Sequence, residues 1–244
     1  VSAVHETKTG RYRAALRALP PDEVPEYLDV HSGLPGPRAD LELLAAFGDV
    51  APPDLVRTLA QDPDEYRRAC GTAALGRLLV EGVGPATEVL TTLHDRAADP
   101  SWRVREAAAM ALQRVGDDDP RALRELVGAW VADADPLVRR AAVAGVCEPR
   151  LLHDPETVQA ALDACREAGG TIAALPPDAR RDPGVRTLRQ ALGYCWSVAV
   201  AADPGRGLPA FSALESSTDP DLAWVARENR KKTRLRRLLP PDPG

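Results

Sequence analysis

Seven of the eleven residues from Arg227 to Arg237 are basic: Arg227, Arg230, Lys231, Lys232, Arg234, Arg236 and Arg237. From Val225 onward the acids are Glu228 and Asp242, so this tail carries +5, while residues 1–224, with 24 basic and 34 acidic residues, carry −10. Such a concentration of cations suits phosphate or an acidic partner, since phosphate neutralisation needs only positive charge within reach. It equally suits the end of a terminal helix, where cations oppose the helix dipole. As a nucleic-acid contact, the candidates here are Arg230, Lys231, Lys232 and Arg234.

The other chemistry-bearing residues are dispersed. Cys70, Cys147, Cys165 and Cys195 form no CxxC pair and sit among Ala, Leu or Val, which predicts free, buried thiols in a reducing compartment. His5, His31, His94 and His153 have no partner four residues away, so no metal site is expected. The chain has no glycine-rich phosphate loop after a strand, no nucleophile elbow and no Cys/His constellation. No cofactor is implied, and enzymatic activity stays open.

The elements that must position these residues are marked by Asp-Pro. The pair occurs at Asp62, Asp99, Asp119, Asp135, Asp154, Asp182, Asp203 and Asp219, and again at Asp242-Pro243. Asp caps the unsatisfied N–H groups of a first helical turn, and Pro at the next position has a suitable φ and gives up no needed donor. Each copy therefore predicts a helix start. Helical apolar patterns follow, as in Ser101-Trp-Arg-Val-Arg-Glu-Ala, which is expected to place Trp102, Val104, Ala108 and Leu112 near one side. Pro63, Pro100, Pro136, Pro183 and Pro220 are spaced by 37, 36, 47 and 37 residues, the period of a stack of helix pairs.

Composition fits. The chain has 244 residues, 4% aromatic, with a net charge of −5, which argues against a generally basic nucleic-acid coat protein. No run approaches 18 consecutive apolar residues, so no membrane span is expected. The first ten residues show no apolar run with a cleavage signal, and the expected location is cytoplasmic.

The Asp-Pro starts followed by Val-Arg-x-x-Ala resemble HEAT repeats over about 53–239. The resemblance implies an all-α fold, an α-solenoid of about six antiparallel pairs forming one curved superhelix over residues 1–244 with a concave binding surface. The pairs are 22–32 with 37–47, 53–60 with 64–80, 84–97 with 101–115, 119–132 with 136–147, 155–168 with 184–201, and 205–216 with 220–237. Arg11–Leu19 forms an N-terminal cap (cap region about 11–47), and Gly169-Gly170 with Pro176-Pro177 predicts an irregular insertion over about 169–182. Arg67, Arg105, Arg139 and Arg189 occupy similar repeat positions. In HEAT-like stacks such an Arg bonds an Asp of a neighbouring turn, and the other possibility is a basic ladder along the concave surface. The implied partner is a macromolecule, either protein or duplex DNA.

Three segments, Ser101–Glu106, Leu137–Ala142 and Arg189–Tyr194, are also similar to the HEAT-like DNA alkylation repair glycosylases. That resemblance implies Trp102, Glu106 and Tyr194 as catalytic positions and Arg140 as a phosphate ligand. An acid beside the sugar would stabilise oxocarbenium-like charge, and an aromatic face would contact a cationic base. Trp102 and Glu106 are four apart and share a helix face. The family's acid is usually Asp, and the spacing between Arg140 and Tyr194 departs from its pattern. The alternatives are packing between helices for Trp102 and an ordinary surface acid for Glu106.

Overall fold

The computed structural model describes residues 7–239; Asp242-Pro243 and His5 lie outside the described residues. The described residues form α-helices, short 3-10 turns and loops, with no strand among them. They fall into two compact units, residues 7–115 and 116–239. The first holds α1 (Lys8–Ala18), α2 (Val24–His31), α3 (Leu41–Val50), α4 (Pro53–Leu59), α5 (Glu65–Val80), α6 (Ala86–Ala97) and most of α7 (Trp102–Asp118), within which the boundary falls. The second holds α8 (Pro120–Val131), α9 (Pro136–Val146), α10 (Pro155–Ala174), α11 (Pro183–Ala202), α12 (Pro204–Glu215), α13 (Pro220–Arg230) and α14 (Thr233–Arg236), with 3-10 turns at Pro149–Leu151 and Ala179–Arg181.

The second unit is a stack of pairs. Helix α8 packs on α9, α10 on α11 and α12 on α13, while α9, α11 and α13 follow one another as a row. In the first unit α4 packs on α5, the expected pair of 53–60 with 64–80; α6, expected to pair with 101–115, packs on α5, α3 packs on α1 and α5, and α2 on α5. The expected pairing of 22–32 with 37–47 is therefore replaced by contacts made through α1 and α5.

Six of the Asp-Pro pairs start helices as local chemistry requires. Asp119, Asp135, Asp154, Asp182, Asp203 and Asp219 each accept backbone N–H groups of the first turn, with Pro among the first helical residues. At Asp62-Pro63 and Asp99-Pro100 the start is displaced. Asp64 caps α5, and Ser101 Oγ accepts from Arg103 N at 3.2 Å at the start of α7. Asp62 and Asp99 instead accept from the N–H two residues on, each at 2.8 Å, and so shape the turn before the helix.

This shift changes the arginine register. Arg68, not Arg67, reaches the next turn: its Nε donates to Asp99 Oδ2 at 2.9 Å and its Nη1 to the Asp62 carbonyl at 2.7 Å. Arg105 stands at the equivalent position and donates to the Asp99 and Pro100 carbonyls at 2.7 and 2.8 Å. Arg67 bonds Asp29 of α2, and Arg189 donates to Asp221 at 2.5 Å. Arg67 and Arg189 thus tie neighbouring elements together. Arg77, almost fully buried, closes the end of α3 by donating to the carbonyls of Gly48, at 2.7 Å, and Ala51.

Small residues let the helices approach. A Cβ on Gly71 of α5 would lie 2.1 Å from the Ala60 nitrogen at the end of α4, and one on Gly76 would lie 2.4 Å from the Ala111 carbonyl oxygen of α7. Two expectations about breaks need correction. Helix α10 runs through Gly169-Gly170 to Ala174 and stops only before Pro176-Pro177, with a 3-10 turn in the remainder. Proline removes the donor that continuation needs, whereas each glycine costs only about 1 kcal/mol. The basic tail is not one helix either: α13 ends at Arg230, and α14 turns its buried Leu235 onto α11.

Asp99 is 4% exposed and also accepts from Arg96 at 3.3 Å. Replacing it by Ala strands the Arg68 guanidinium, so Asp99→Ala is expected to lower stability by roughly 3–5 kcal/mol in urea denaturation. Gly71→Ala is expected to cost about 1–3 kcal/mol through backbone displacement, read as a lower thermal midpoint.

Candidate functional site

The first unit carries two neighbouring grooves that share Tyr66 and Arg103 as walls. Tyr66 is fully buried and its hydroxyl donates to the Asp40 carbonyl at 2.6 Å, which fixes the ring between them. The apolar groove, about 360 Å³, has Leu44 and Ala69 in its floor and Leu41, Trp102, Glu106 and Met110 on its walls. Arg38 and Arg103 complete its lining. The other, about 460 Å³, is lined by Asp29, Asp64 and Glu65 together with Ser32, Leu34 and Pro35.

Helical geometry explains the Trp102 position. At about 100° per residue, Val104, Ala108 and Leu112 cluster on one side of α7, and Trp102, Glu106 and Met110 lie on another. The first three are fully buried and Trp102 is 56% exposed. Trp102 is thus not the packing residue that its neighbours suggested. The Arg103 guanidinium lies 4.8 Å from the centroid of its ring and is held by Glu65 at 2.8 Å. Leu41, next to the capping Asp40, is 60% exposed on the same groove. Glu106 is exposed on the helix surface as the simpler alternative has it, and lines the groove.

The remaining candidates lie in the second unit. Arg140 is 9% exposed, a buried side chain of α9 that presents little surface. Tyr194 is 44% exposed, but its hydroxyl accepts from Arg234 Nη2 at 2.7 Å, and Lys232 and Arg234 lie 5.7 and 4.9 Å from its ring centroid. Arg230 pairs with Glu215, and Lys231 with Glu228 at 2.5 Å. The structure therefore brings Tyr194, Lys232 and Arg234 together across forty residues of sequence, while two of the tail's cations are neutralised locally.

All four cysteines are free and buried. Burial pushes the Cys70 thiol well up, and Cys147, whose sulfur lies 3.7 Å from that of Cys165, is raised first by that contact. Thiolates are disfavoured at both positions, which makes them poor nucleophiles. Among the described residues no group of three His, Cys, Asp or Glu is placed to hold a metal, and no helix is long and apolar enough to cross a membrane.

The grooves were not legible in the sequence, because their walls come from residues 29–44 and 64–69 and the start of α7. The signal the sequence offered was the shared face of Trp102 and Glu106, which line one of the two grooves. Trp102→Ala is expected to change stability by less than about 1 kcal/mol, since little packing is lost. Tyr66→Ala is expected to cost roughly 3–5 kcal/mol. Thermal denaturation separates the two.

Residues 52–147 match the family model for HEAT repeats. A comparison with curated proteins gave no match. Among solved structures, a designed armadillo repeat protein in complex with the peptide (KR)4 is 16% identical, with 91% of this chain and 98% of that chain covered and a TM-score of 0.37. An engineered protein is 16% identical over 95% and 98% of the chains with a TM-score of 0.36. Computationally designed armadillo repeat proteins for modular peptide recognition give 18%, 90%, 97% and 0.36. These likenesses are too distant to bear on the ligand.

Proposed function

We propose that this HEAT-repeat protein, matched to that family over residues 52–147, is a non-catalytic binding module that docks a peptide segment of a partner protein in the apolar groove of its first unit. The observation that carries this reading is the joint exposure of Trp102 and Leu41, 56% and 60%, on one groove of about 360 Å³. Large apolar side chains left open to water, above a buried floor and beside charged residues, are the makings of a recognition site. A partner's apolar side chain would enter beside Trp102, over Leu44 and Ala69. Arg38, Arg103 and Glu106 would orient the peptide by polar contacts, and the Trp ring would supply most of the affinity as a rigid anchor.

The glycosylase alternative draws support from Trp102 and Glu106 sharing that groove. It is weakened by the burial of Arg140 and by the engagement of the Tyr194 hydroxyl with Arg234. Trp102 in this reading is a peptide anchor and Glu106 a rim acid, with neither placed in a reaction.

Selection of a displayed random-peptide library against the whole chain tests the proposal. Enriched peptides are expected to share an apolar anchor and to bind Trp102→Ala at least tenfold more weakly, a loss of about 1.4 kcal/mol. Equal binding to Trp102→Ala removes the groove from recognition. In parallel, release of methylated bases from duplex DNA is expected to be absent; release abolished by Glu106→Gln would establish the glycosylase alternative instead.

A further inference from the structure

The second unit holds a cleft of about 650 Å³ between the 3-10 turn Ala179–Arg181, one side of α11 and the start of α13. Four arginines line it, Arg180, Arg181, Arg186 and Arg189, with two acids, Asp219 and Asp221. The acids are already committed. Asp219 accepts from Arg180 at 2.6 Å and caps α13 with its other oxygen. Asp221, 9% exposed, accepts from Arg180 at 3.2 Å and from Arg189 at 2.5 Å. Arg180 is further fixed by donating to the Leu175 and Ala173 carbonyls at 2.8 and 2.7 Å, and Arg189 lies 4.6 Å from the Trp224 ring centroid.

Arg180 and Arg189 are therefore committed to the two aspartates, while Arg181 and Arg186 are not held by them. Arg181 pairs with the exposed Asp178 at 3.4 Å, and the two side chains are 76% and 92% exposed. An ion pair so open to water is worth little. Arg186 is exposed, and Gln190, four residues on, faces the same cleft from α11. Neither guanidinium is needed by the buried network of Arg180, Arg189, Asp219 and Asp221. Guanidinium forks are suited to tetrahedral oxyanions, which they bind through paired N–H donors.

We propose that this cleft binds a phosphoryl group carried on a phosphorylated side chain of a partner protein, with Arg181 and Arg186 as direct ligands and Gln190 as a further donor. A phosphorylated residue carries about −1.5 to −2 at neutral pH, which can engage both Arg186 and the weakly paired, exposed Arg181. The cleft exceeds a phosphate in volume and leaves space for flanking peptide atoms. Arg180 and Arg189 do not move to the ligand; clamped by Asp219 and Asp221, they form a rigid positive wall behind it.

The test uses the full chain and a labelled neutral peptide carrying one phosphoserine, with its unphosphorylated twin, followed by fluorescence anisotropy. Line broadening of inorganic phosphate in ³¹P NMR supplies a readout independent of peptide sequence. The phosphopeptide is expected to bind at least tenfold more tightly than its twin, and the double variant Arg181→Gln/Arg186→Gln is expected to abolish that difference with an unchanged thermal midpoint. Trp102→Ala is expected to leave the discrimination intact, which separates this site from the groove in the first unit. Broadening of inorganic phosphate that the double variant loses, without added affinity from the peptide, supports the phosphoryl site with a free anion as its source. No broadening and equal binding of the twins overturns the proposal, as does discrimination that survives the double variant.

Discussion

A carboxylate at the turn before a helix serves two partners at once, and the order of each unit depends on it. Asp99 accepts the backbone N–H of Ser101 at Oδ1, while its carboxylate is also bound by Arg68, through both oxygens, and by Arg96 at Oδ2. Asp219 likewise accepts the first N–H groups of α13 with one oxygen and the Arg180 guanidinium with the other. Burying such a group is costly unless its hydrogen bonds are satisfied. At Asp99 and Asp219 the acid that shapes the turn or caps the helix therefore also holds an arginine from another element, which fixes the spacing of those elements at their ends. Between those ends, small residues such as Gly71 and Gly76 set how closely the helices lie.

The local half of this arrangement was readable from sequence. Asp-Pro identifies helix starts because capping and the φ of proline act within one turn, and six of the pairs behave in that way. The register was not readable where Asp62-Pro63-Asp64 offers two acids, either of which can cap. Only the packed structure decides that Asp64 caps and that Arg68 reaches Asp99. Proximity in sequence puts Trp102 beside Val104, although two helical positions are about 200° apart. Arg140 next to Arg139 gave no sign of its burial.

Sites assembled from distant residues were the least visible. Leu44 and Ala69 become groove floor only once α3 and α5 pack, and nothing in their spacing announces it. The tail shows the opposite case, since its charge was obvious but its geometry was not. Arg230 and Lys231 are spent on Glu215 and Glu228, while Lys232 and Arg234 gather at Tyr194. The same pattern of capped helix starts continues beyond the HEAT-matched residues 52–147, through α10, α11, α12 and α13.

The buried thiols have a practical corollary. Cys70 reports on the first unit, whereas Cys147, Cys165 and Cys195 report on the second, and all four are shut away from solvent. Their reactivity toward an alkylating agent is governed by opening of the surrounding helices. The chain thus carries its own clocks for each half: labelling at Cys70 and at the other three, resolved by peptide mass, times the opening of one unit separately from the other without any engineered probe.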